Sequence, residues 1–143
     1  MSENPEIVMQ AKHIVKQFPA SHGRTLTACN DINLTMYKGR TLGIVGESGC
    51  GKSTFVRMVI SLDQPTSGEI LYHGKNITGL SKKETWENRQ NLQMVFQYPL
   101  ASFNPKMKIG DILTEPLMNY KKIKRSERNA KARELLRMVE LPE

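Results

Sequence analysis

The fold of this chain is decided by nine consecutive residues, Gly46, Glu47, Ser48, Gly49, Cys50, Gly51, Lys52, Ser53 and Thr54 (GESGCGKST). The first eight fit the phosphate-binding pattern GxxxxGK[ST] without adjustment. At ordinary residue frequencies, the four fixed positions would match by chance in on the order of one chain in 200 of this length. An apolar, β-branched run precedes the loop at 41–45, and a helical pattern follows at 55–62. Strand, glycine loop and helix in this order predict an α/β fold with a P-loop core.

The chemistry of this loop favours a nucleoside triphosphate. Glycines at 46, 49 and 51 let the backbone turn tightly and direct its N–H groups, including those of Cys50 and Thr54, toward an anion at the start of the helix. We expect Lys52 to reach the β and γ phosphates and the Ser53 hydroxyl to coordinate Mg²⁺. The predicted binding residues are therefore all nine residues from 46 to 54. The loop alone does not say what is done with the triphosphate.

Outward from the loop, hydrophobic periodicity predicts further strands and helices. We expect strands over 7–18, 26–37, 68–72 and 92–96, with turn signals at 30–31 and 38–39. Ser81 with Glu84 predicts a capping box at the start of a helix. Two more helices are expected over 109–119, with a kink at Pro116, and over 126–140. The second of these is amphipathic, with one face formed by Ala132, Leu135, Leu136 and Val139.

Composition narrows the class of protein. The 143 residues carry 38% hydrophobic and 24% charged side chains, which supports one domain or two small subdomains sharing a core. No apolar run approaches the roughly 18 residues needed to span a bilayer, and the acidic, polar start does not resemble a signal peptide. Two cysteines and three scattered histidines predict a reducing compartment and no structural metal.

The net charge of +7 is concentrated near the end of the chain. Residues 121–143 hold eight basic and four acidic side chains. A solvated helical face explains this run most simply, and contact with anionic lipid or a protein partner is the alternative. Nucleic acid is the weakest option, because no aromatic residue interleaves with the basic ones. We therefore expect no nucleic-acid partner.

Three segments carry a resemblance to a known family: TLGIVGESGCGKST at 41–54, PTSGEILYHGKNI at 65–77 and LQMVFQYPLASFNP at 92–105. The chain resembles the first part of an ATP-binding-cassette (ABC) ATPase, and most closely the ATP-binding subunits of bacterial dipeptide, oligopeptide and nickel importers. The resemblance implies a nucleotide-binding core with an antiparallel β subdomain over 1–97. It also implies the beginning of a helical subdomain over 98–143.

The third segment implies a role for Gln97. In the family, a glutamine at the end of a strand joins the Mg²⁺ shell and senses the γ phosphate, so Lys52 and Gln97 become the expected catalytic residues. Taken by itself, Gln97 is equally a polar residue that ends a buried strand. The loop that follows contacts the membrane subunit in these proteins, which implies a coupling surface from Tyr98 to Met107, residues 98–107. The family often has an acidic residue directly after the glutamine, and Tyr98 departs from that pattern.

An aromatic residue on the first strand stacks on adenine in this family, and Phe18 occupies the matching position. Its stacking is worth about 0.5 to 1.5 kcal/mol beyond buried area, so we expect a modest preference for adenine. Without the resemblance, Phe18 is more simply a core or edge aromatic.

Motifs needed for hydrolysis in this family do not occur in the sequence. There is no LSGGQ-type signature and no aliphatic run ending in Asp-Glu. We therefore expect an amino-terminal fragment that binds ATP and Mg²⁺ but does not hydrolyse ATP efficiently. The complete protein would be a peripheral ATPase at the cytoplasmic face of the membrane, paired with a second ATP-binding subunit and with permease subunits that import peptides or similar solutes. A P-loop kinase and a soluble nucleotide-binding module without catalysis are the alternatives.

Overall fold

A four-stranded antiparallel sheet organises the first part of the computed structural model, which describes residues 5–142 apart from the side chains of Leu100 and Ala101. Strands β1 (Ile7–Pro19), β2 (Thr25–Tyr37), β3 (Ser67–Tyr72) and β4 (Lys75–Asn76) lie in the order β2-β1-β3-β4. The predicted strands at 7–18, 26–37 and 68–72 are confirmed. Because β1 lies between β2 and β3, it is the strand through which the sheet is held together.

A β-bulge interrupts the ladder between β1 and β2. The pairs Ile14–Ile32 and Lys16–Cys29 enclose one residue of β1 but two of β2, Asn30 and Asp31. Asp31 has φ of 52°. The sequence predicts a turn here, and that prediction is wrong because the extra residue is absorbed within a continuous strand. The bulge resets the register just before the part of the ladder that lies next to the glycine loop.

Helix α1 (Lys52–Val59) packs on this sheet through Phe55 and Met58. Both side chains are buried, and each such burial contributes about 1.5–3 kcal/mol to folding. The same core contains six side chains from the sheet and its flank, Met9, Ala11, Ile14, Cys29, Ile70 and Ile77. The core therefore fixes the helix that follows the glycine loop against β1, β2 and β3.

The end of α1 differs from the prediction, which extends the helix to Leu62. Ser61 adopts a left-handed φ of 57°, and the N–H groups of Leu62 and Asp63 both donate to the carbonyl oxygen of Arg57, at 2.8 and 3.2 Å. Such a turn satisfies the last free carbonyls of a helix and stops it. As a result, Asp63 is attached rigidly to the end of α1.

Two predicted buried strands, at 41–45 and 92–96, are wrong. Neither segment is a strand, and Val45 and Val95 are 93% and 88% exposed. A strand requires a neighbour that accepts its backbone hydrogen bonds. Within residues 5–142 every strand pair is antiparallel and involves other segments, so these apolar runs have no ladder partner there.

The capping box at the start of helix α2 (Lys82–Arg89) is confirmed. The Ser81 hydroxyl accepts a hydrogen bond from the Glu84 backbone N–H at 3.3 Å, and the Glu84 carboxylate accepts from the Ser81 N–H at 3.0 Å. The Ser81 side chain and backbone lower the pKa of Glu84 by favouring its charged form.

The second compact unit begins at Met94, and the first ends at Gln93. The domain boundary that the sequence places after Gln97 remains a prediction. In this unit α3 (Ile109–Asn119) confirms the predicted helix, with Pro116 inside it, and α4 (Arg128–Met138) follows a short 3₁₀ turn. No described helix has the length and apolar character required to cross a bilayer.

The two helices of the second unit pack closely. A Cβ added to Gly110 would lie 3.5 Å from the Ala132 Cβ, and Arg128 pairs with Asp111 at 2.9 Å. Ala132 is buried as predicted, but Val139 is 63% exposed. Val139 falls outside the packed face because the helix ends at Met138 and residue 139 has left the helical path.

Candidate functional site

The glycine loop is held directly against strand β2. Gly51 is the N-cap of α1 with φ of 92°, and a Cβ at this position would overlap the carbonyl oxygen of Ala28. The Cys29 thiol lies 3.9 Å from the Gly51 carbonyl oxygen, as its hydrogen-bond donor. Only glycine combines this left-handed conformation with so close an approach. The loop is therefore seated at the Ala28–Cys29 step of β2.

The start of α1 presents unused N–H groups. Its first intrahelical bond runs from the Phe55 N–H to the Gly51 carbonyl oxygen at 2.9 Å. The N–H groups of Lys52, Ser53 and Thr54 precede this bond and have no carbonyl one turn earlier in the helix. Such groups, together with the positive end of the helix, bind anions.

Lys52 folds back over the loop. Its ammonium donates to the carbonyl oxygens of Gly46 at 2.7 Å and Glu47 at 2.5 Å, and lies 3.4 Å from the Cys50 sulfur. An ammonium has three N–H donors. Two of them are used on the loop carbonyls, and the third faces a weak acceptor that a phosphate oxygen can replace. The geometry thus brings a cation and the helix N–H groups to one loop.

Ser53 and loop residues 46–50 are exposed. The Ser53 side chain is exposed on the first turn of α1, and Ser48 and Gly49 form the exposed tip of the loop. Hydroxyl oxygen is a suitable ligand for Mg²⁺. Among the residues that the structure describes, no three histidine, cysteine or acidic side chains gather into a cluster able to hold a metal ion.

Phe18 lies near the loop through the β1–β2 ladder. Phe18 pairs with Leu26, which is two residues from Ala28 on β2. Two residues of strand span about 7 Å, and neighbouring strands are about 5 Å apart. The Phe18 ring is 36% exposed and borders a cavity of about 320 Å³ formed by residues 17–20 and 23–25. A partly exposed aromatic beside a cavity, one strand away from the loop, is suited to stack on a planar ligand.

Two charged residues near Phe18 were missed by the sequence analysis. The Lys16 ammonium donates to a carboxylate oxygen of Asp63 at 2.9 Å and to the Gln64 carbonyl oxygen at 2.6 Å. It also lies over the Phe18 ring, 5.0 Å from the ring centroid. The hydrogen bond from Lys16 lowers the pKa of Asp63. Lys16 stands two residues before Phe18, a spacing that can place both on one face of a strand, but Asp63 is distant in sequence.

Lys16 also lies near the part of β2 that contacts the glycine loop. It pairs with Cys29 across the ladder. Burial raises the pKa of the Cys29 thiol, and the Lys16 charge opposes this effect. The thiol therefore stays protonated at neutral pH and can donate toward Gly51.

Gln97 belongs to the second unit, whereas the loop belongs to the first. Its side chain borders an apolar depression of about 330 Å³ with Phe96, Tyr98 and Ser102. Tyr98 and Phe103 are 73% and 43% exposed. The approach of Gln97 to the loop, and the coupling role of residues 98–107, remain predictions.

Comparison with known proteins confirms the resemblance indicated by the sequence motifs. The family model described as ABC transporter matches residues 29–143. The chain is 44% identical over 138 residues to the oligopeptide transport ATP-binding protein OppF of Bacillus subtilis, covering 95% of this chain and 45% of that protein. It is 43% identical over 128 residues to OppF of Haemophilus influenzae, covering 84% of this chain and 39% of that protein. To the di/tripeptide transport ATP-binding protein DppF of Pseudomonas aeruginosa it is 39% identical over 141 residues, covering 95% and 44%.

The fold is similar to that of solved ABC cassettes. A dimeric structure of a bacterial ABC transporter cassette matches with a TM-score of 0.81 and 28% identity, over 94% of this chain and 58% of that one. The same cassette bound to ADP and Pi in a post-hydrolysis state matches with a TM-score of 0.80 and 27% identity, over the same shares of each chain. The predicted fold class, α/β of the P-loop cassette type, is thereby confirmed. The chain spans less than half the length of the three transport proteins described above.

Proposed function

The chain belongs to the ABC transporter family, and on this premise we propose that it is the nucleotide-binding part of a subunit that couples ATP binding and hydrolysis to the import of peptides or similar small solutes. The observation that carries the proposal is the seat of the glycine loop on β2. There the Lys52 ammonium and the first N–H groups of α1 lie at one loop, and in this proposal they bind one anion. The peptide-transport names of the relatives support the class of solute.

In this proposal the loop residues bind the triphosphate. The N–H groups of the first turn of α1 and of the loop, including Gly49, Cys50 and Thr54, donate to phosphate oxygens. Lys52 places its charge beside the β and γ phosphates, where a charge-assisted hydrogen bond is stronger than a neutral one. Phe18 stacks on the adenine and selects the base weakly.

Mg²⁺ fits the donor set of this site. Ser53 would supply a hydroxyl oxygen, and hard cations prefer such ligands. Gln97, which belongs to the second unit, is proposed as a further ligand on the family resemblance alone. When bound, the ion neutralises charge on the phosphates. Ser53 is exposed at the start of α1, which leaves its hydroxyl accessible to an ion held between protein and phosphate.

The proposed partners are a second ATP-binding subunit and membrane permease subunits. The solved dimer of a related cassette supports the first. Exposed aromatic side chains at Tyr98 and Phe103 support an interface over residues 98–107, since aromatic residues are enriched in protein interfaces. Contact with permeases would hold the complete subunit at the cytoplasmic face of the membrane.

Equilibrium binding tests the proposal. We expect the chain to bind ATP in a magnesium-dependent manner, and Lys52→Ala to weaken this binding by about 10- to 100-fold, as a lost charge-assisted contact of about 1.5–3 kcal/mol requires. Adenosine, which has no phosphate, is the matched ligand and should bind both proteins equally. Equal loss of ATP and adenosine affinity in Lys52→Ala would contradict the anion site. Phosphoryl transfer from ATP to an added small-molecule acceptor would favour a kinase instead.

A further inference from the structure

The environment of Lys16 points to a role that the phosphate site does not explain. Its side chain is only 13% exposed, which is unusual for a lysine. Two of its three N–H donors are engaged by Asp63 and Gln64 at 2.9 and 2.6 Å. The ammonium then lies over the Phe18 ring, 5.0 Å from its centroid, within the range of a cation–π interaction. One cation thus anchors an aromatic ring to the segment that follows α1.

Both residues of the Lys16–Asp63 pair are held in place by further contacts. Asp63 is tied to the end of α1 through its N–H bond to the Arg57 carbonyl at 3.2 Å, and its carboxylate also accepts from the Gln64 N–H at 2.8 Å. Lys16 belongs to β1, opposite Cys29, which contacts Gly51 of the glycine loop. Helix α1 therefore begins at the phosphate loop, and the turn that ends it leads to Asp63, which holds Lys16.

The Phe18 side chain borders a cavity in addition to contacting the Lys16 ammonium. The cavity of about 320 Å³ beside it is bordered by residues 17–20 and 23–25, and Lys16 is outside that set. Its size lies within the range of small-molecule pockets. The Phe18 ring therefore has the Lys16 ammonium over one face and also borders a cavity that Lys16 does not line.

We propose that Lys16 is a positioning residue for the nucleobase: its ammonium covers one face of Phe18, so that the base stacks only on the opposite face. This inference rests on the proposed nucleotide-binding function and adds to it the residue that orients the aromatic platform. Lys16 contacts no phosphate and acts through Phe18. Its ion pair with Asp63 keeps the platform at a fixed distance from the phosphate loop.

Two ligands separate this role from a structural one. ATP carries a base and inorganic tripolyphosphate does not, so the ratio of their affinities reports the base contact alone. We expect Lys16→Met to lower ATP affinity about two- to tenfold and to leave tripolyphosphate affinity unchanged, both measured by isothermal titration with magnesium. Loss of folded protein would lower both affinities together. Lys16→Arg, which keeps a cation beside the ring, should retain the wild-type ratio.

Lys12→Met is the matched control, because Lys12 lies on the same strand and pairs with Glu69 at 3.4 Å on an exposed surface. It should leave the ratio unchanged. In a Phe18→Ala background, Lys16→Met should have no further effect on ATP affinity. Two results would overturn the role of Lys16 alone. One is an equal loss of ATP and tripolyphosphate affinity in Lys16→Met. The other is a ratio of ATP to tripolyphosphate affinity that stays at the wild-type value in Lys16→Met but falls in Phe18→Ala. An unchanged ratio in Phe18→Ala would overturn the stacking of the base and the Lys16 role with it.

Discussion

Gly51 and Ala28 are packed backbone to backbone, with no space between them for a side chain. This relationship connects the glycine loop to the sheet, because Ala28 is a residue of β2 and Gly51 is the N-cap of α1. The geometry of a P-loop serves the binding of its phosphate ligand. In this chain the fold itself requires glycine at position 51, because a side chain there would overlap the carbonyl oxygen of Ala28 on the adjacent strand.

Gly51→Ala should therefore damage both stability and binding. A residue other than glycine at φ of 92° costs about 1–3 kcal/mol, and the overlap with Ala28 would push the loop away from β2. We expect a lower free energy of unfolding in urea and ATP affinity reduced by at least about tenfold. Gly43→Ala is the control, because a Cβ there meets nothing within 4 Å and its φ is not in the left-handed region. Wild-type ATP affinity in Gly51→Ala would contradict the proposed seat of the loop.

The Lys16–Asp63 pair predicts a pH-dependent contribution to stability. The Lys16 hydrogen bond is the largest cause of the lowered pKa of Asp63, and burial opposes it. A carboxylate whose pKa is lowered on folding stabilises the folded chain above its unfolded pKa, about 3.9, and loses this contribution as the pH falls through the lowered value. Asp63→Asn should therefore unfold more easily than wild type in urea at pH 7. The difference between the two proteins should shrink as the pH falls through the lowered pKa of Asp63.

A difference in unfolding free energy that persists undiminished at the lowest pH would show that Asp63 stabilises the chain by packing or by its bond from Gln64, and not by charge. Glu69→Gln provides a control, since its pair with Lys12 is exposed, and exposed pairs contribute about 0–1 kcal/mol. We expect Glu69→Gln to change stability little at either pH.

Local signals in the sequence predict much of this structure. The helix over 109–119 and the capping box of Ser81 and Glu84 are confirmed because both depend on residues within a few positions of one another. The buried strands expected at 41–45 and 92–96 are wrong because apolar composition does not supply a strand with a hydrogen-bonding neighbour. For the same reason the sequence predicts a turn at Asn30–Asp31: only the pairing of β2 with β1 distinguishes a bulge from a turn.

In the candidate site, too, the sequence predicts the local features but not the long-range contacts. The motif identifies Lys52 and Ser53 as residues of the phosphate loop because the spacing of that motif is local. Gly51 could be named from the motif, but not its contact with Ala28, which is 23 positions away in sequence. The Lys16–Asp63 pair joins residues 47 positions apart and has no local signal. Long-range contacts of this kind become visible only when the register of β1 against β2 and β3 is known.

A substitution at Gln97 tests whether the second unit takes part in ATP hydrolysis itself or only in coupling hydrolysis to transport. In the full-length subunit assembled with its permease, Gln97→Ala should leave ATP affinity within a few fold of wild type, because the loop of the first unit supplies most phosphate contacts. Hydrolysis coupled to transport should fall clearly, since the amide oxygen that we propose as a Mg²⁺ ligand is lost. Gln90→Ala is the control, because it removes the same type of side chain at an exposed position outside residues 98–107, where the amide donates to the Glu87 carbonyl at 3.0 Å. Phosphate release measured in proteoliposomes, with and without transported peptide, distinguishes the outcomes. Unchanged coupled hydrolysis in Gln97→Ala would remove this residue from the mechanism and leave residues 98–107 as the part of the second unit to test next.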